Sequence, residues 1–90
     1  MNFEDLIVKG GEITKAELFQ PEDKVCLIAL VPKSESAASA VVLNVKLSGN
    51  NEMTDYPFYV GGWNPIVINK INVIQQNLTD YRIFWGVPRQ

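Results

Sequence analysis

An all-β fold is what this sequence predicts: a small sandwich or barrel of five to six short antiparallel strands. Residues 1–20 read as an N-terminal arm and residues 21–90 as the β domain. Three observations carry this expectation. Runs rich in Val and Ile have strand length, turn residues (Gly, Pro, Asn, Ser) recur every eight to twelve positions, and one segment alternates with a period of two. Ninety residues make a single domain. A chain of this size buries roughly 60–65% of its unfolded surface, so its stability margin is thin.

The arm has mixed polarity. Phe3, Leu6, Ile7 and Val8 are apolar, Gly10-Gly11 reads as a break, and Ile13, Leu18 and Phe19 follow. The spacing suits a short strand near Leu6–Val8. It also suits a helical turn over Thr14–Leu18, with Thr14 as N-cap and Glu17 as its capping-box partner. An arm that orders on binding is a third option, because termini are poorly held unless docked.

From Lys24 the pattern is β. Val25–Val31 is a continuous apolar run closed by Pro32, as in a strand covered on both faces. Residues 33–39 are small and polar, hence a loop. Val41, Leu43, Val45 and Leu47 alternate with Val42, Asn44 and Lys46, which marks a half-buried strand. Ser48-Gly49-Asn50-Asn51 is a turn. Tyr56–Val60 is a strand whose Pro57 suggests an edge. In Ile66–Ile74 the parity slips between Ile68 and Ile71, and a bulge near Asn69-Lys70 would restore one apolar face. Gln75-Gln76-Asn77 is expected as a loop. Tyr81–Trp85 is the last strand, ended by Gly86 and Pro88.

Chemistry finds little support. Histidine is absent, which removes the commonest general base and metal ligand together. Cys26 lies within an apolar run that would raise its pKa, so it reads as a small buried hydrophobe in a chain of reducing origin. Glu52/Asp55 and Glu22/Asp23 read as solvated loop charges rather than acid–base pairs. Gly61-Gly62 lacks the Lys-Ser/Thr of a phosphate loop. Net charge is −2 and the lysines and arginines stand singly, so neither nucleic acid nor a membrane is expected as partner. No apolar run approaches the ~18–20 residues of a membrane span. The acidic start Met1-Asn2-Phe3-Glu4-Asp5 is unlike a secretory leader, and synthesis in a cytoplasm is expected. Asn77-Leu78-Thr79 fits a glycosylation sequon and reads as chance. No enzyme, metal or cofactor is expected.

Contact chemistry is better represented. Tyr56–Ile66 packs four aromatics, two prolines and a glycine pair into one short stretch, giving large rigid contact area at low conformational cost. Trp63 sits between Gly62 and Asn64, either as a plug over one end of the sandwich or as an interface anchor. Phe58 and Tyr59 must point to opposite faces, one to the core and one outward. Tyr81, Ile83 and Trp85 share a face, placing Trp85 at the core or its rim. The interface candidates are Phe3, Phe19, Phe58, Tyr59, Trp63, Pro65 and Trp85.

Over residues 40 to 87 the order of motifs resembles small all-β structural proteins of tailed bacteriophage virions, of the capsid-decoration and spike-base type. The residues concerned are Tyr56-Pro57-Phe58, the Gly-x-x-Pro-apolar step Gly62-Trp63-Asn64-Pro65-Ile66, Lys70-Ile71, and Asp80–Gly86. The chain departs from that pattern at residues 75–79, and its arm matches nothing in the family. The resemblance implies a virion protein on the capsid surface, repeated many times. It would bind and stabilise the major capsid protein or other virion proteins, with a homotrimer as one form. A base or adaptor for a head fibre or spike is the alternative within that class. From a different class, a small carbohydrate-binding module would use Trp63 and Tyr59 as stacking platforms.

Overall fold

Alternating side chains leave each strand with one apolar face, and two such faces close on each other here. The computed structural model describes residues 7–35 and 37–89. Its elements are β1 (Ile7–Ile13), β2 (Leu18–Phe19), β3 (Leu27–Pro32), β4 (Ala40–Leu47), β5 (Thr54–Tyr59), β6 (Gly62–Trp63), β7 (Ile68–Asn72), α1 (Gln75–Asp80) and β8 (Tyr81–Pro88). Sheet A has the order β1-β8-β3-β6 and sheet B the order β2-β7-β4-β5, with every described pairing antiparallel. The all-β expectation holds. The described strands number eight rather than five or six, because β2 and β6 have two residues each and are too short to show a period.

Sheet A contributes Ile13, Ile28, Leu30, Tyr81 and Ile83 to the core; sheet B contributes Leu43, Val45, Phe58, Ile68 and Ile71. Together they form one cluster, the arrangement of a sandwich. One corner is stitched shut: Cys26 N–H donates to Ile68 O and Ile68 N–H to Cys26 O, both at 2.9 Å. The expected bulge lies in β7. Lys46 pairs with Lys70 while Leu47 pairs with Ile68, so Asn69 is the extra residue. The shift lets Ile68 and Ile71 both reach the core despite their opposite parity. Pro57 sits on β5, an edge strand as expected.

Three expectations require correction. The arm over residues 1–20 is, from Ile7 onward, two edge strands: β1 pairs along β8 and β2 pairs with β7. Gly10-Gly11 is no break but the condition for that pairing. A Cβ at Gly10 would stand 2.5 Å from Trp85 O, and one at Gly11 would stand 3.0 Å from Trp85 Nε1. The helical turn over Thr14–Leu18 does not form; residues 15–17 bend, and Val73 N–H donates to Glu17 O at 3.0 Å. Third, the Gln75–Asn77 loop is the start of α1. Asn77 Oδ1 accepts from Ile74 N–H at 3.0 Å, satisfying a helix-start donor, and Asn77 is buried. The asparagine of the sequon is therefore occupied in folding.

Gly10→Ala is expected to lower stability by about 2 kcal/mol, because the added carbon meets backbone that has no rotamer to escape through. Chemical denaturation of the two proteins measures it.

Candidate functional site

The outer face of sheet A is floored by small residues. Gly10, Gly86 and Leu27 share one rung, and Glu12, Phe84, Ala29 and Trp63 share the next. Residues opposite one another on antiparallel strands point to the same side. Ile28, Leu30 and Ile83 face the core, so this alternate set faces outward. Trp63 leans back across β3. A Cβ at Gly86 would lie 2.8 Å from Trp63 Cη2 and 2.9 Å from Ile7 Cδ1. Indole and isoleucine thus meet over a glycine, and beneath them Leu27, Ala29 and Gly86 are buried. This is how the first part of β3 comes to be covered on both faces. Further along, Val31 is exposed.

Between these walls lies an apolar groove of about 580 Å³, lined by Ile7, Gly10, Ala29, Val31, Gly61, Gly62, Trp63 and Phe84 among others. Its rim is charged. Arg82 holds Glu12 through two hydrogen bonds, Nε to Oε2 at 3.1 Å and Nη2 to Oε1 at 3.0 Å. The same guanidinium stands 5.0 Å from the Phe84 ring centroid. Hydrogen bonding from Arg82 holds the Glu12 carboxyl below its ordinary range. The pair is solvent-exposed, so it orders the rim more than it stabilises the fold.

Asn64 fixes where Trp63 stands. Its side chain is buried, with Oδ1 accepting from Tyr59 N–H at 2.8 Å. Nδ2 donates to Tyr59 O at 3.0 Å and to Ile28 O at 3.3 Å, and the Asn64 backbone N–H also donates to Ile28 O, at 2.8 Å. The crossing from β5 to β6 turns at Gly61, whose φ of 114° is costly for any residue with a Cβ.

The interface candidates scatter. Trp63 walls the groove as an anchor would, and it caps a sheet face rather than the end of the sandwich. Phe58 is wholly buried and belongs to the core, because its parity on β5 points it at sheet A; it is no interface residue in the folded chain. Tyr59 is 76% exposed, on the outer face of sheet B. Pro65 is exposed and lies outside the groove lining. Trp85 packs on the core with Tyr81 and Ile83, its ring 5.4 Å from Phe19, so both are rim residues; its edge reaches the groove. Phe3 lies outside the described residues. Ile7, Phe84, Asn64 and Gly86 were not among the residues the sequence pointed to as a site. A run buried on both faces requires a cover, and that requirement was the available signal for Trp63 and Ile7.

No acid–base or nucleophilic centre assembles among the described residues. Glu22 and Asp23 both face Lys9, at 3.4 and 3.5 Å, and Asp55 accepts from Asn44 at 3.0 Å. Cys26 is fully buried, and burial pushes its thiol up to about 12. No group of three His, Cys, Asp or Glu able to hold a metal ion occurs among the described residues. Comparison of the chain with family models, curated proteins and solved structures found no match.

Asn64→Ala leaves Tyr59 and Ile28 groups unpaired and is expected to cost about 2–3 kcal/mol. Asn64→Asp should cost more, since a carboxylate would face two carbonyl oxygens; urea unfolding ranks them. Cys26 should resist a thiol-labelling reagent at pH 8 in the folded protein and react fully once unfolded, because the thiolate is nearly absent when the pKa is about 12.

Proposed function

We propose that this chain is a non-enzymatic structural protein of a tailed-phage virion, a capsid decoration protein whose sheet A groove docks on the major capsid protein or another virion subunit. One observation supports the docking: Trp63, half-exposed and held by a buried asparagine, walls an apolar groove on a sheet face. Large aromatic side chains in such settings dominate binding energy at protein interfaces. The virion assignment itself rests on the resemblance over residues 40 to 87. About 800 Å² per partner suffices for a specific contact, and repetition on a lattice raises effective affinity without new contacts. Docking would also stabilise a domain whose own margin is thin.

The fibre or spike base remains the variant within this class, and copy number per particle separates the two. The carbohydrate-binding alternative is weakened by geometry. Its two stacking residues, Trp63 and Tyr59, stand on the outer faces of different sheets.

Purified protein mixed with shells that lack it should co-sediment at ordered, saturable occupancy. Trp63→Leu keeps an apolar cover over Leu27 and Gly86, so the variant should unfold cooperatively yet bind about thirtyfold more weakly, some 2 kcal/mol. Absence of co-sedimentation at every ionic strength sinks the proposal.

A further inference from the structure

The outer face of sheet B holds a feature that neither the core nor the groove explains. Lys46 on β4 and Lys70 on β7 are direct Cα partners. Their neighbours Val45 and Ile71 point into the core, so both lysines point outward on one rung. Like charges so placed repel, with Cβ atoms about 5 Å apart. The ion pairs among the described residues join Lys9 to Glu22 and Asp23 and Arg82 to Glu12, and neither rung lysine takes part. Lys46 Nζ donates to Asn69 Oδ1 at 3.1 Å, a neutral acceptor that leaves the charge in place. Asn69 is the bulge residue, and its Nδ2 donates to Lys24 O at 2.7 Å. The bulge residue thus holds one ammonium of the rung in place. Asp55 lies further along the face and is held by Asn44.

The same face exposes apolar surface. Val42 and Tyr59 are 58% and 76% exposed, on the same side as the lysines. The chain carries a net charge of −2, so a positive rung here runs against its overall sign. Folding gains nothing from two like-charged residues paired on one rung. A carboxylate seated between them relieves their repulsion and accepts from both.

We propose that the outer face of sheet B is a second contact surface, for a partner protein presenting an Asp or Glu side chain flanked by apolar residues. It stands on a different sheet from the groove and does not depend on that reading. With both faces engaged, the sandwich joins two protein surfaces, and each attachment raises the effective concentration of the other.

Thermal unfolding of the full chain and its variants tests this. In low salt Lys70→Gln should raise the melting temperature by about 1–5 °C through relief of the like-charge rung, the gain fading near 1 M NaCl. A capped tetraglutamate peptide should raise the wild-type melting temperature, at ionic strength matched with NaCl, and leave Lys46→Gln/Lys70→Gln unmoved; tetraglutamine should do nothing. Trp63→Leu should keep the tetraglutamate response, which separates failure of this surface from failure of the groove. An equal peptide response in wild type and double variant overturns the proposal, as does a Lys70→Gln protein no more stable than wild type. A response to sodium sulfate without one to tetraglutamate also overturns it. So does concentration-dependent self-association lost in the double variant, which would make the occupant a second copy of this chain.

Discussion

The buried amide of Asn64 is the interaction on which the arrangement of this molecule turns. A sandwich chain must leave one sheet and enter the other, and at that crossing its backbone groups lose their ladder partners. Between Tyr59 and Asn64 a single side chain replaces them, engaging the N–H and C=O of Tyr59 at the end of sheet B and the carbonyl of Ile28 in sheet A. Gly61 N–H adds a bond to Leu30 O at 2.8 Å. Because both amide atoms are satisfied, a polar group that would otherwise be costly to bury locks the corner. Trp63, next in the chain, inherits its position from that lock.

The two tryptophans show how small residues direct large ones. Trp85 stays on the inner parity of β8 and packs beside Phe19, and β1 can run alongside it because Gly10 and Gly11 present no side chains there. Trp63 is turned outward and covers β3 because Gly86 leaves room for the indole to cross. In each case a glycine faces an indole or its backbone, and a methyl group at that point would push the strand or the ring away. The cover over Leu27 and Ala29 is shared by Ile7 and Trp63, residues from the two ends of sheet A.

That economy leaves two unlike outer faces. Sheet A ends in an apolar groove with an ion pair at its rim. Sheet B ends in a lysine rung beside exposed Val42 and Tyr59. Among the described residues neither face brings a nucleophile to a base, and the single thiol is sealed in the core by the same contacts that stitch the two sheets at Cys26 and Ile68. What the surfaces offer is area and charge, the properties of contact.

Period-two alternation, turn residues and proline placement were sufficient to read the all-β class, the half-buried β4, the edge position of β5 and the sharing of one face by Tyr81, Ile83 and Trp85. The parity slip in Ile66–Ile74 also placed a bulge near Asn69-Lys70, and the register shows Asn69 to be the extra residue. These features are local: each depends on which way neighbouring side chains point. The helix α1 escaped because six residues do not complete two turns, and the run of β1 beyond Val8 escaped because its glycines look like a break until Trp85 lies against them. Which of Phe58 and Tyr59 is buried depends on the side from which sheet A approaches. The groove and the lysine rung arise only when strands distant in sequence come into register. By itself the sequence determined that strands form and where they bend. Tertiary pairing decided which side chains meet, because backbone hydrogen bonds join any two compatible strands and only the shared core selects among them.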